Sequence, residues 1–304
     1  LPADVRPSIW FTYHLYHKAP DWLGPAVSDA LGIPYVVAEA SFAPKREGGK
    51  WALGHEAARR AIRRADAIIG LNSHDAPCLL PLLDDPGRLF ALGPFTKTAP
   101  FAAAAAQRGR HRAEVGAAFG LDGGEPLLLV VAMMRPGDKL ASYQVLGQAL
   151  VALLDLPWQL LVVGDGAARG AVEAVLAPLG TGRVRYAGEL APMALAPVYA
   201  AADLLVWPAI REAYGMALLE AQAAGVAVVA GRVGGVGDIV EDGVTGLLTA
   251  EADTATFAQA VRALLGDGVR RQEMGRRGAE AAGRDHTMAA AALRLNQIFE
   301  AVRP

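Results

Sequence analysis

Short apolar runs rich in β-branched residues recur along the chain: "SIWFTY" (8–13), "PYVVAE" (34–39), "AIIGLN" (67–72), "LLLVVAM" (127–133), "QLLVVG" (159–164), "VRYAGE" (184–189), "LLVWP" (204–208) and "AVVAG" (227–231). Runs of this length and composition predict buried strands. Between them lie Ala-rich, helix-forming stretches at 55–65, 142–154, 168–178, 214–224 and 254–265. Strand–helix alternation of this kind implies parallel βαβ units with helices on both faces of the sheet. Apart from "FAAAAAQ" (101–107), no repeat or low-complexity tract stands out.

Length and punctuation then divide the chain. A length of 304 residues suggests two domains. Near 93–123, "GPFTKTAP" and a polar, basic run interrupt the pattern. The expected organisation is a first doubly wound domain over 1–95, a linker over 96–112, a second doubly wound domain over 113–285 and a C-terminal helix over 286–304 that packs back toward the first domain. Only three convincing strands precede residue 93, whereas a doubly wound domain has about five or six. The chain also opens on Leu1 rather than Met. The first domain is therefore expected to lack its opening strands, leaving the strand near 8–13 with an unpaired flank.

Composition narrows the function. Apolar residues make up 53% and charged residues 20%, enough to bury a large core. The net charge of -2 argues against general nucleic-acid binding. Residues 1–112 carry 14 Lys/Arg against 10 Asp/Glu, and 113–304 carry 15 against 21, so the basic and acidic halves are expected to meet different partners. One cysteine, Cys78, excludes an intramolecular disulfide and fits a reducing cytoplasm. The longest apolar stretch, 126–134, is too short to span a bilayer, and no signal peptide opens the chain. The six His and one Cys show no metal-ligand spacing, and there is neither a Ser-His-Asp order nor a nucleophile elbow.

The stretch that carries chemistry is "REAYGMALLEAQAAG" (211–225). It follows the strand "LLVWP", so Glu212 falls in a loop at the carboxyl end of a parallel strand, where open α/β sheets bind ligands. Gly215 allows close backbone approach, and the helix that starts there presents unpaired N–H groups suited to a diphosphate. Glu220 sits about one and a half turns further along, and a carboxylate can accept two hydrogen bonds from a vicinal diol such as a ribose. Pairing with a buried arginine would account for one isolated glutamate in such a helix, but not for two at this spacing.

This segment resembles the Glu-x7-Glu signature of retaining GT-B glycosyltransferases of family 4, also called glycosyl transferases group 1. The stretch 184–248 is the most specific part of a resemblance that covers nearly the whole chain; "GIPYVVAEAS" (32–41), "RRADAIIGLN" (63–72) and "VVGDGAARGAVEAVL" (162–176) add to it. The resemblance implies an α/β GT-B fold of two Rossmann-like domains with a cleft between them, the first one truncated here. It implies a retaining transfer from a nucleotide-diphospho-sugar donor to an acceptor that is a glycan, lipid or small molecule, with no metal and no further cofactor. Glu212 resembles the carboxylate on the transferred sugar and Glu220 the one on the ribose. The amides near Gly215, Met216 and Ala217 resemble the diphosphate cradle, and Lys139 in "RPGDKLASY" the basic residue on the phosphates. No Asp-x-Asp motif is present.

The sequence departs from the family pattern in places. Where the family has Arg five residues before the Lys stands Met134, and Arg135 is one step closer, either on the phosphates or on the surface. Pro208-Ala209 replaces Pro-Ser, Gly237-Asp238 replaces Pro-Glu, and the N-terminal glycine-rich loop has no counterpart. Weaker signals complete the expected site. A His at the end of the first strand touches the donor sugar in the family; Tyr13 or His14 takes that place, His17 being a poorer candidate, with His14 slightly favoured over packing. Gly164, Asp165 and Gly166 form a strand-to-helix turn placed to meet the nucleotide, and Leu190 in "GELA" is placed to cover the base. "RRAIRR" puts Arg59, Arg60, Arg63 and Arg64 on a helix, which is either a solvated face or a peripheral dock for anionic lipid at the inner face of the membrane. The rival readings are a non-catalytic nucleotide-sugar-binding subunit and another GT-B enzyme, such as a sugar-phosphate synthase.

Overall fold

The computed structural model describes residues 6–303, which divide into two compact units, one of residues 6–94 with 289–303 and one of residues 95–288. In the first unit, β1 (Trp10–Leu15), α1 (Gly24–Leu31), β2 (Tyr35–Ala40), α2 (Ala52–Arg64), β3 (Ala67–Gly70), the short α3 (Ala76–Leu79) and β4 (Leu89–Ala91) follow in turn. The strands form one parallel sheet in the order β1-β2-β3-β4. Tyr35, Val37, Ile62 and Ile68 are buried in its core. The fourth strand, β4, was missed in the sequence because its three residues are partly exposed and form the sheet's edge. β1 lies at the other edge and pairs with β2 alone among the described strands.

The second unit comprises α4 (Ala99–Ala105), α5 (Arg108–Phe119), β5 (Leu127–Val131), α6 (Asp138–Val151), β6 (Gln159–Val163), α7 (Arg169–Leu176), β7 (Val184–Gly188), α8 (Pro192–Ala201), β8 (Leu204–Trp207), α9 (Met216–Ala223), β9 (Ala227–Gly231), β10 (Gly246–Thr249), α10 (Thr254–Gly266) and α11 (Gly268–Asp285). Its six strands are parallel in the order β10-β9-β8-β5-β6-β7. β5, β6, β8 and β9 are almost wholly buried, as strands covered on both faces must be. The last helix, α12 (Met288–Ala301), lies with the first unit. There Phe299 packs edge-on against Phe11, and Arg294 donates to the Ala91 carbonyl at 3.2 Å.

Residues 96–112, expected to be a linker, are mostly helical and belong to the second unit. Phe101 of α4 packs edge-on against Tyr199. Arg108 and Arg112 bond the carbonyls of Ala200, Ala201 and Ala202 at the end of α8 and pair with Asp203, so the basic residues that suggested a solvated connector neutralise a helix C-terminus instead.

Candidate functional site

β5 and β8 are neighbours in the second sheet although β6 and β7 intervene in sequence. From this pair the connections leave in opposite directions, and such a switch point opens a crevice at the carboxyl ends of the strands. Two loops meet there: the one after β5 enters α6, and the one after β8 enters α9.

Lys139 stands in the first turn of α6 and forms an ion pair with Oε2 of Glu212, in the loop after β8; their side chains are 17% and 16% exposed. The same oxygen accepts the Trp207 indole N–H at 3.2 Å. Lys139 Nζ lies 5.5 Å from the centre of the Trp207 ring, which Tyr143 meets edge-on at 5.2 Å. The Tyr143 hydroxyl donates in turn to the Ala132 carbonyl at 3.0 Å.

The loop that presents Glu212 is strained. Ala209 and Arg211 have φ of 57° and 47°, which costs a residue with a Cβ about 1–3 kcal/mol each. Surrounding bonds hold the conformation. The Ile210 N–H donates to Ser142 Oγ at 2.9 Å, the Ser142 hydroxyl donates to the Asp138 carbonyl at 2.9 Å, and the Arg211 N–H donates to Glu251 at 3.1 Å. Ser142 is fully buried on α6, so one hydroxyl ties the Glu212 loop to the turn carrying Lys139.

Gly215 caps α9 with φ 75°; a Cβ there would stand 2.8 Å from Leu218 Cδ1. The Leu218 N–H makes the first turn's bond to the Gly215 carbonyl at 2.8 Å, and no side chain caps this end, so the amides of Met216 and Ala217 remain as donors. Further along α9, Glu220 accepts the Tyr199 hydroxyl at 2.8 Å. Burial raises the Glu220 pKa above its ordinary value, against an opposing effect of the Tyr199 bond. Tyr199 is itself pushed well above the usual phenol range, by burial first and then by the Glu220 charge.

Lys139, Glu212, Gly215, Met216, Ala217 and Glu220 all line one cavity of about 300 Å³, together with Gly164 and Leu190. Glu189, from the "GELA" segment, lines it too, as do Trp207, Met133 and Leu195, which were not singled out in the sequence. Trp207 could have been noticed as an aromatic residue at the carboxyl end of the strand that leads to Glu212. Tyr199, behind Glu220, carried no comparable signal.

Other expected residues stand elsewhere. Arg135 is exposed and does not line the cavity, and Met134 beside it is buried, its backbone bonded to Asp165 and Ala168 at 2.8 Å each. Asp165 accepts the Gly166 N–H and the Arg169 guanidinium, both at 2.7 Å, which hold its pKa below the ordinary value. Neither Asp165 nor Gly166 lines the cavity; both stand in the turn that leads from β6 into α7. Gly164 does line it, and a Cβ there would fall 2.0 Å from the Ala132 carbonyl oxygen. His14 belongs to the first unit, where it has φ 66° and pairs with Glu39 at 3.2 Å. Of the four arginines of α2, Arg59 pairs with Glu47, and Arg64 with Asp29 and Asp66, while Arg60 and Arg63 are exposed. No helix among the described residues is long and apolar enough to cross a membrane, and no three of their His, Cys, Asp or Glu residues are grouped to hold a metal ion.

Residues 125–267, which contain every residue lining this cavity, match the family described as Glycosyl transferases group 1. The second unit belongs to that family. The chain is 34% identical to a D-inositol 3-phosphate glycosyltransferase of Nocardia farcinica over 237 residues, 74% of this chain and 51% of that protein. It is 30% identical to the enzyme of the same name from Rhodococcus erythropolis over 281 residues, 86% of this chain and 62% of that protein. The chain thus spans between about half and three fifths of these relatives' length. Among solved structures, it superposes on Anabaena HepE in complex with UDP with a TM-score of 0.77 at 17% identity, covering 96% of this chain and 79% of that one. For sucrose-phosphate synthase from Thermosynechococcus elongatus the TM-score is 0.72 at 23% identity, with 97% and 73% covered. These superpositions give the chain the α/β GT-B fold, with its two parallel sheets.

Proposed function

We propose that the chain is the donor-binding part of a retaining, metal-independent glycosyltransferase that takes a nucleotide-diphospho-sugar. The observation that carries this reading is the grouping of Lys139, Glu212, Glu220 and the open amides of α9 around one cavity at the β5/β8 switch point. The ribose diol lies against Glu220, the diphosphate against the Met216 and Ala217 amides and Lys139, and the sugar against Glu212. Lys139 leaves Glu212 for the diphosphate when the donor enters. In the transfer, the sugar–phosphate C–O bond breaks, its electron pair leaves with the diphosphate, and the acceptor oxygen bonds to the same face of the sugar carbon. The acceptor proton passes to the departing phosphate. Fixed positive charge on the leaving group lowers the barrier most in the transition state. With Arg135 away from the cavity, Lys139 and the helix amides carry that charge.

UDP is the first nucleotide to test, because it is the ligand of the HepE complex. D-inositol 3-phosphate is the first acceptor, because it is the substrate in the relatives' names. Calorimetry and thermal shift with UDP, GDP and ADP, each with and without a glucosyl group, test donor binding. A ligand at 100 times its Kd adds about 2.7 kcal/mol to stability. Failure of all six to bind would overturn the proposal. Binding with no hydrolysis or transfer would favour the non-catalytic subunit.

A further inference from the structure

Both donors to the Glu212 carboxylate meet the same oxygen, Oε2, which leaves Oε1 for a third partner. The two donors differ in mobility. Lys139 sits on a flexible stem, and the proposed donor reading, on which this inference rests, requires it to swing to the diphosphate. A mostly buried carboxylate deprived of its cation would then reorient toward whatever donor or solvent it could reach. Trp207 cannot swing. It ends β8, is 4% exposed, is paired in register with Ala230 of β9, and its ring is braced edge-on by Tyr143. Its N–H therefore stays on Oε2 after Lys139 has gone. The face of the same ring, 5.5 Å from Lys139 Nζ, attracts the ammonium and keeps it near the crevice.

We infer that Trp207 is a positioning residue: its indole N–H fixes the Glu212 carboxylate with Oε1 available to the sugar while Lys139 moves between carboxylate and diphosphate. Its indole N–H is spent on Glu212 and not on the diphosphate or ribose positions of the donor reading, so its removal should affect sugar recognition and spare the nucleotide. A residue that merely fills the core would affect both or neither.

The test compares UDP with UDP-glucose on the 304-residue chain and on Trp207→Phe, which keeps an aromatic ring and removes the N–H. Loss of a hydrogen bond to a charged group should weaken UDP-glucose binding about tenfold, with UDP affinity within about twofold. In parallel, the indole signal of Trp207, assigned by its loss in Trp207→Phe or Trp207→Tyr, is followed by ¹⁵N NMR in wild type and in Glu212→Gln. It should move when the carboxylate is neutralised. Equal effects on UDP and UDP-glucose, or an indole signal indifferent to Glu212→Gln, would overturn the inference while leaving the donor reading standing. A wild-type chain that binds neither ligand would overturn both. Should Trp207→Phe prove too unstable for calorimetry, the indole signal, assigned in Trp207→Tyr, is followed in wild type on adding UDP and UDP-glucose; it should keep its hydrogen-bonded shift with both, and its loss with either would overturn the inference.

Discussion

Glu220→Gln separates the cost of a buried charge from its use. In the ligand-free protein, Glu220 is mostly buried and its one hydrogen-bond donor is the Tyr199 hydroxyl, at 2.8 Å. Burial raises its folded pKa above the unfolded value of about 4.3. The folded state therefore binds this proton more tightly than the unfolded state does. The associated stability is fully present below about pH 4.3 and is lost as pH rises through the folded pKa. Glutamine keeps the shape and can still accept from Tyr199, but it carries no charge to desolvate. The variant should thus be more stable than wild type at pH 7, and the difference should vanish below pH 4. Binding should move the opposite way. A diol that loses its charged acceptor forfeits on the order of 1.5–3 kcal/mol, roughly 10- to 150-fold in Kd for UDP. Urea unfolding at the two pH values and calorimetry with UDP measure the two halves independently. A variant that is less stable at pH 7 yet binds UDP normally would show that Glu220 serves the core and not the ribose.

Lys139→Met should destabilise the chain by on the order of 1.5–3 kcal/mol, because it leaves the Glu212 carboxylate without its cation. The same change on a Glu212→Gln background should cost much less, and additive urea midpoints would show that the pair is not coupled. Ser142→Ala should cost about 1–3 kcal/mol by stripping the Ile210 N–H of its acceptor, with faster hydrogen exchange confined to the Glu212 loop; uniform loss of protection would refute that role. Gly164→Ala, forced against the Ala132 carbonyl at φ 135°, should lose at least about 2 kcal/mol, whereas Gly170→Ala, open on α7, should gain about 0.5–1 kcal/mol in the same unfolding assay.

Much of the fold was legible because burial on both faces leaves a coarse mark. Eight strands could be read as apolar runs, and each appears within a few residues of its expected bounds; the mark is strongest for β5, β6, β8 and β9, which are covered on both faces. The two strands that were missed, β4 and β10, are edge strands of three and four residues, too short for a period to show. The helices over 96–112 were hidden for another reason: their arginines look solvated in sequence and find their partners, Asp203 and the carbonyls of α8, about ninety residues away.

The site divides along the same line. Local spacing places Glu212, Gly215 and Glu220 on one loop and helix, because eight residues of chain leave little freedom, and sequence alone determined that part. Tertiary structure decided which charges meet. Lys139 reaches Glu212 across 73 residues only because the strand order brings β5 beside β8. Asp165 pairs with Arg169, four residues along the chain, and is not among the residues that line the cavity. Trp207 and Tyr199 became visible only when the sheet set one ring beside Lys139 and one hydroxyl against Glu220. Residue types and short spacings are written along the chain, but an ion pair or a shared acceptor depends on distances through space, and the packing of the strands sets those.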